Sequence, residues 1–319
     1  MRALIVTDFD ADPRIEEVET PSPGPGEVLV RIEACALNFA DLLMAKGTYQ
    51  DTPELPFALG MEVAGRIEAL GEGVKGPKPG TRIAVFGGSG GMAEYGVFPA
   101  DRCIPVPDGM PSEVAAGFIV AYGTSHLALT HRARLKEGET LLVLGAAGGV
   151  GLTAVEVGKK LGATVIAVAN GTEKLQACKD AGADHLIDGS KEDIREAVRA
   201  LGGADVIYDP VGGDLFKQAM RACKPEARII VIGFASGDVP QIPANIILVK
   251  NITVIGFYWG AYTTFNPGPL VMSVRDLMGW YAEGKLDPHI SHVLPLDRAT
   301  EALDLMRQRK STGKVVVTP

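Results

Sequence analysis

Cysteine is scarce in this chain, and what there is lies scattered. The four residues, Cys35, Cys103, Cys178 and Cys223, have neither metal-ligand spacing nor the pattern of a secreted disulfide framework. Each reads as a free thiol, buried or partly buried. The five histidines offer no metal-binding pair on a common helix face. His289 and His292 are three apart, but Pro288 and the strand-like Val293-Leu294 argue against a ligating helix. No Gly-x-Ser-x-Gly elbow is present, so a hydrolase is unsupported. No apolar run reaches membrane-spanning length, and the opening Met1-Arg2-Ala3-Leu4-Ile5-Val6-Thr7-Asp8 turns acidic too early for a secretory leader. Excess positive charge is missing as well. The net charge of −8 at pH 7 opposes non-specific attraction to nucleic acid or anionic lipid. The expectation is a cytoplasmic protein with no metal, no nucleic-acid partner and no membrane partner.

What is present is enough for two cores. The chain has 319 residues, 46% apolar and 22% charged, the balance of a soluble globular protein. Up to about Pro107 the pattern is short strands broken by Gly and Pro, such as Val28–Ile32, Val63–Ile67 and Thr81–Phe86. This predicts a compact, barrel-like β domain, interrupted by one helical piece from Asn38 to Lys46. From Ser112 to Thr130 the sequence is helix-compatible, and apolar strands then alternate with helical segments. The strand candidates are Leu141–Leu144, Thr164–Val168, His185–Ile187, Val206–Tyr208, Arg228–Ile232 and Ile252–Phe257. Six such strands in two βαβαβ halves predict a doubly wound parallel sheet. Beyond Tyr262 come two helices, Leu270 to Glu283 and Ala299 to Arg309, and a strand at Lys314–Val317. These most simply rejoin the first domain, so the expected boundaries are 1–122 with 262–319, and 123–261.

The most informative stretch is Gly145-Ala146-Ala147-Gly148-Gly149-Val150-Gly151, which joins the first apolar strand to an amphipathic helix. As Ala146-x-Gly148-x-x-Gly151 it is a dinucleotide fingerprint with alanine at the first position. Small residues let the backbone turn sharply and approach a pyrophosphate, which then meets the free N–H groups and positive end of the helix. The second strand ends at Asn170 rather than at an acidic residue. Asn170 does not repel a 2′-phosphate, Lys174 can pair with one, and Thr172 adds a hydroxyl donor. This pattern favours NADP over NAD. The alternative for Lys174 is a solvated helix lysine beside Glu173.

Taken together, Leu37-Asn38-Phe39-Ala40-Asp41, Gly60-Met61-Glu62-Val63-Ala64-Gly65, Tyr122-Gly123-Thr124, the Gly145–Gly151 turn and Asp209-Pro210-Val211-Gly212-Gly213 form a specific set. Ile232-Gly233-Phe234-Ala235-Ser236-Gly237 and Phe257-Tyr258-Trp259-Gly260 extend it. Over essentially its whole length the chain resembles the zinc-independent, NADPH:quinone oxidoreductase-like members of the medium-chain dehydrogenase/reductase superfamily. The resemblance implies an α/β protein with a GroES-like, β-rich catalytic domain and a Rossmann nucleotide-binding domain. Zinc-dependent relatives carry Cys near the position of Asn38 and His at that of Met61. Neither is present, and Glu62 alone cannot hold a metal.

The resemblance further implies a metal-free reductase that uses NADPH on a small-molecule quinone or enone and assembles as a homodimer. Its cofactor would be bound by Asn38, Thr124, Ala147, Gly148, Gly149, Val150, Asn170, Thr172, Lys174, Val211, Phe234, Ala235, Ser236, Phe257, Tyr258, Trp259 and Lys314. Related quinone reductases often have a tyrosine where Gly189 stands, which puts more weight on Lys174. Tyr49 is the candidate proton or hydrogen-bond donor, against the alternative of a loop tyrosine packed on Pro53 and Leu55. Asn38 could hold the nicotinamide or a carbonyl oxygen, or cap the helix it starts. Asp41, in that helix's first turn, reads as structural. Two other functions stay open. One is an enoyl-thioester reductase, with Arg132, Arg134 and Lys136 as the carrier's phosphate cluster. The other is a nicotinamide-binding structural or redox-sensing protein with little turnover.

Overall fold

The computed structural model describes residues 1–319. The chain divides into two compact units, Met1–Val120 with Pro288–Pro319, and Ala121–Asp287.

In the first unit the long strand Glu27–Ala36 is the organising element. Its alternate residues Val28, Val30 and Ile32 point into the core, as the period of two requires. It lies inside a seven-stranded sheet in the order Ile290–Pro295, Lys314–Thr318, Glu27–Ala36, Glu62–Leu70, Arg82–Phe86, Ile104–Pro105. Tyr95–Pro99 also pairs with Glu27–Ala36. A smaller sheet of Arg14–Glu17, Arg2–Val6 and Phe57–Ala58 closes over the same core, which includes Leu4, Val30, Val63, Phe98, Leu303 and Val317. This is the β-rich domain the Gly- and Pro-broken strands predict. The helical piece expected at Asn38 is the short helix Phe39–Met44, with Asn38 at its N-cap position.

The second unit is a six-stranded, all-parallel sheet in the order His185–Asp188, Thr164–Ala169, Thr140–Val143, Ala204–Asp209, Cys223–Val231, Thr253–Gly256. Strand order runs outward from the first strand in both directions, the doubly wound topology. Leu141, Leu142 and Val143 are all fully buried, because helices cover both faces of a parallel sheet. The switch point lies where the Gly149–Lys160 helix leaves the first strand.

The helix-compatible stretch from Ser112 to Thr130 forms three helical pieces, Ser112–Ala116, Ile119–Leu127 and a π-turn over Ala128–Arg132. Gly117 interrupts the first two. Residues 262–287, expected to rejoin the first domain, pack within the second unit instead. The Pro267–Ala282 helix is tied there by Ser273 Oγ, 2.8 Å from His126 Nδ1, and by Trp280, whose ring meets His126 edge-on at 5.1 Å. The same unit gathers its two ends. The Tyr122 hydroxyl donates to one Glu156 carboxylate oxygen, and the Asp287 N–H donates to the other at 2.7 Å.

All four cysteines are free thiols, with Cys35, Cys178 and Cys223 buried and Cys103 partly so. No helix is long and apolar enough to cross a membrane.

Candidate active site

The second unit presents the cofactor candidates on turns at the carboxyl ends of its parallel strands. The Gly149–Lys160 helix has Gly148 as N-cap, with no side-chain cap hydrogen bond and no acidic residue in its first turn. The N–H groups of Gly149, Val150 and Gly151 therefore lack intrahelical partners and are aligned with the positive end of the helix. Gly151 is where the helix presses on the turn. A Cβ there would lie 2.4 Å from the Gly145 carbonyl oxygen. At Gly148 the nearest atom to an added Cβ is 3.4 Å away, so that face is open. An uncapped backbone donor set, with an open approach at the exposed Gly148, fits a dinucleotide pyrophosphate.

The neighbouring turns join this one. Val211 Cγ2 packs against Gly145, and Val211 N–H is fixed by Asp209 Oδ1 at 2.8 Å. Ala235 N–H donates to Pro210 O and Ser236 N–H to Val211 O, so the turns after the fourth and fifth strands form one body, with Phe234 against Gly212. Phe257 N–H bonds Val231 O. The Trp259 indole lies on Gly123, where a Cβ would be 2.8 Å from Nε1, beside buried Thr124. The helix bearing Thr124 is tied down by Ser125 Oγ, 2.8 Å from Thr153 Oγ1 and 3.1 Å from the Tyr208 hydroxyl.

Asn170 follows the second strand, and Thr172 and Lys174 start the Thr172–Asp180 helix. Gly189 makes room for the Asn170 carboxamide, since a Cβ at Gly189 would stand 2.9 Å from Asn170 Oδ1. Sequence reasoning missed Asp188, which sits beneath this turn. It accepts from Ser190 Oγ at 2.6 Å, Ser190 N–H at 3.1 Å and Gly171 N–H at 3.3 Å, and pairs with Lys191 at 3.1 Å. Those donors, the Ser190 hydroxyl foremost, hold its carboxyl well below the usual range. The Asp-x-Ser pattern at 188–190 was the available signal.

The first unit builds a different kind of site. Asn38 Nδ2 donates to Glu62 Oε1 at 3.0 Å, and Lys314 Nζ donates to Asn38 Oδ1 at 2.9 Å, Glu62 Oε1 at 2.8 Å and Leu37 O at 2.8 Å. Glu62 Oε2 accepts from Val120 N–H at 3.0 Å, in the first turn of the Ile119–Leu127 helix. Glu62 and Lys314 are buried, so breaking their pair by removing one partner would cost about 3–5 kcal/mol.

Lys314, expected among the cofactor-binding residues, has its three ammonium protons engaged by the protein oxygens of Leu37, Asn38 and Glu62. Asp41, fully buried, accepts from Asn38 N–H at 2.7 Å and Gly60 N–H at 3.2 Å, a structural role. Burial pushes its carboxyl up to about 7. Tyr49 lies in the loop after the Phe39–Met44 helix, its ring packed on the first unit's apolar core.

No three His, Cys, Asp or Glu side chains come together as a metal-binding group. At Asn38 and Glu62 the cation's seat is filled by the Lys314 ammonium, which sits on one oxygen of each. The donor set does not fit zinc.

Known proteins match both units. Residues 24–108 match the alcohol dehydrogenase GroES-like domain, and residues 149–271 match the zinc-binding dehydrogenase domain. A quinone oxidoreductase-like protein 2 homolog of Nematostella vectensis is 40% identical, over 95% of this chain and 84% of that protein. Quinone oxidoreductase-like protein 2 of Bos taurus is 39% identical, over 99% of this chain and 92% of its own length. The quinone oxidoreductase of Thermus thermophilus, whose structure was also solved with NADPH, superimposes with a TM-score of 0.88 at 30% identity, each chain covered in full. Together with the parallel sheet, the glycine-rich turn and the β-rich first unit, these matches identify the chain as a member of the medium-chain dehydrogenase/reductase family, in its quinone oxidoreductase-like branch.

Proposed function

We propose that this oxidoreductase uses NADPH to reduce quinones or α,β-unsaturated carbonyl compounds without the help of a metal ion. The observation that carries the reading is the Lys314 ammonium seated on Asn38 and Glu62. A site with no metal Lewis acid suits acceptors that spread the incoming negative charge over their own conjugated system. Reduced nicotinamide, when bound, supplies the hydride for such an acceptor.

The protein's part is binding, orientation and proton supply. The N–H groups of Gly149, Val150 and Gly151 receive the pyrophosphate, with Ala147 and Gly148 shaping the turn. Asn170, Thr172 and Lys174 face the 2′-phosphate and favour NADPH over NADH. Thr124, Val211, Phe234, Ala235, Ser236 and Phe257-Tyr258-Trp259 line the remainder of the cofactor's path. Asn38 donates a hydrogen bond to the acceptor's carbonyl oxygen, and the Tyr49 hydroxyl supplies the proton.

The sheet also supports a homodimer. Thr253–Gly256 is an edge strand with one side unpaired, and the preceding Ala244–Lys250 helix leaves Leu248 77% and Val249 72% exposed. An uncovered apolar edge invites pairing with a second copy.

Steady-state NADPH oxidation with 1,4-benzoquinone, 9,10-phenanthrenequinone and crotonyl-CoA tests the function. Turnover with the quinones is expected. Tight NADPH binding with no oxidation by any acceptor would favour a binding module, and turnover confined to crotonyl-CoA would favour an enoyl-thioester reductase.

A further inference from the structure

We propose that Lys314 is a positioning residue for Asn38. Together with Glu62 it fixes the direction of the Asn38 carboxamide and lends its charge to the single N–H that the amide keeps for substrate. The inference rests on the reading above, in which Asn38 meets the acceptor's oxygen.

An asparagine side chain presents an oxygen and a nitrogen that are nearly the same shape, so only its partners decide which faces where. Here the partners leave no choice. An ammonium can only donate, so Oδ1 must face Lys314. An ionised carboxylate can only accept, so Nδ2 must face Glu62. The three groups close a ring, because Lys314 Nζ also donates to the same Glu62 oxygen at 2.8 Å. That ring uses the edge of the amide bearing the oxygen and the hydrogen on its own side. The other Nδ2 hydrogen points away from the ring, and Asn38, unlike Glu62 and Lys314, is only partly buried.

The ring is itself held rigidly. Glu62 is fixed through its second oxygen by Val120 N–H at 3.0 Å. Lys314 is fixed by its third bond, to Leu37 O, and by its own N–H to His289 O at 3.1 Å. Its aliphatic stem crosses Gly117, where a Cβ would lie 3.2 Å from both Cγ and Cε. The missing side chain at 117 is therefore the stem's passage to Asn38.

Charge follows the same route. A cation bonded to an amide oxygen draws electron density from the amide and makes its N–H a stronger donor, and burial keeps that effect from being screened. Lys314 thus strengthens a hydrogen bond to substrate without touching substrate. A purely structural salt bridge would stabilise the C-terminal strand but would have no reason to act through Asn38.

A double-mutant cycle in the full-length enzyme separates these cases. Lys314→Met keeps the stem and removes the donors; Asn38→Ala removes the amide; the pair is combined. Readouts are kcat and KM with 1,4-benzoquinone, NADPH affinity by fluorescence, and Tm. Lys314→Met is expected to lower kcat by about 10–100-fold with NADPH affinity changed less than about 2-fold, and to lower kcat less than about 2-fold further in the Asn38→Ala background. Equal losses in both backgrounds, or no loss in kcat from Lys314→Met, would overturn the proposal while leaving Asn38's role intact. An unchanged kcat in Asn38→Ala would instead remove the parent reading, and this one with it. If Lys314→Met does not fold, Lys314→Met/Glu62→Gln, which leaves no unpaired buried charge, replaces it under the same criteria.

Discussion

The glycine-rich turn of the second unit and the Asn38 ring of the first are made of different material. At Gly145–Gly151 the donors are backbone N–H groups contributed by one short segment, and the side chains matter chiefly by being small. In the ring the donors and acceptors are side chains brought from positions 276 and 252 residues apart, Lys314 to Asn38 and Lys314 to Glu62. A backbone site tolerates substitution wherever the new side chain stays clear of the ligand's path. A side-chain ring depends on the chemical identity of each member, because removing one leaves another buried without its partner.

The sharpest way to break this contrast is Gly148→Asp. Aspartate is a favoured N-cap residue and the position has room, so Tm is expected to hold or rise. Its carboxylate would occupy the helix N-terminus and repel pyrophosphate, lowering NADPH affinity by about 100-fold by fluorescence titration. Unchanged affinity would show that the turn does not carry the pyrophosphate. Next in size is Asn38→Ala, expected to lower kcat with 1,4-benzoquinone by about 10–100-fold while NADPH affinity holds. A Kd effect matching the kcat effect would make Asn38 a cofactor ligand and blur the distinction between the two regions.

A third test uses pH. The buried Asp41 carboxyl titrates near 7 in the fold and near 3.8 in the unfolded chain, so the native state holds the extra proton between those values. Its stabilising contribution is complete below about pH 4 and is lost as pH rises through 7. Calorimetry from pH 5.5 to 8 should show Tm falling, and Asp41→Asn should flatten that fall by about 2–4 °C. A slope identical in the variant would reassign the titration to another group. The smallest effect is expected from Lys174→Ala, which should cut the preference for NADPH over NADH about 10-fold at unchanged kcat. No change in preference would mean that Lys174 is the solvated helix lysine.

The sequence disclosed the second unit well because its strands, covered on both faces, are continuous apolar runs such as Leu141–Leu144. The glycine-rich turn was legible for a related reason, since it lies in one uninterrupted segment between a strand and a helix. The stretch from Ser112 to Thr130 reads as helix-compatible throughout, and its break at Gly117 is not marked in sequence, because what stands there is the stem of a lysine nearly two hundred residues away. The Pro267–Ala282 helix reads into the wrong unit for a similar reason. Its pattern shows that one face is buried, but not that Ser273 and Trp280 meet His126. Lys314 stands out as a cation, yet nothing near it in sequence reveals which oxygens absorb that charge. Asp188 is different. Its Asp-x-Ser pattern is local, so its turn is legible from the sequence alone.

Glu156 has a consequence for how this architecture can be altered. One of its oxygens receives the hydroxyl of the second residue of the nucleotide-binding unit, and the other receives the last peptide N–H before the chain leaves it. Entry and exit are thus stapled side by side on a single carboxylate. A guest module whose termini are so joined can be lifted out and replaced by another of matching spacing without stretching either splice, which is the condition for domain grafting. The nucleotide module of this protein is in that sense already a cassette.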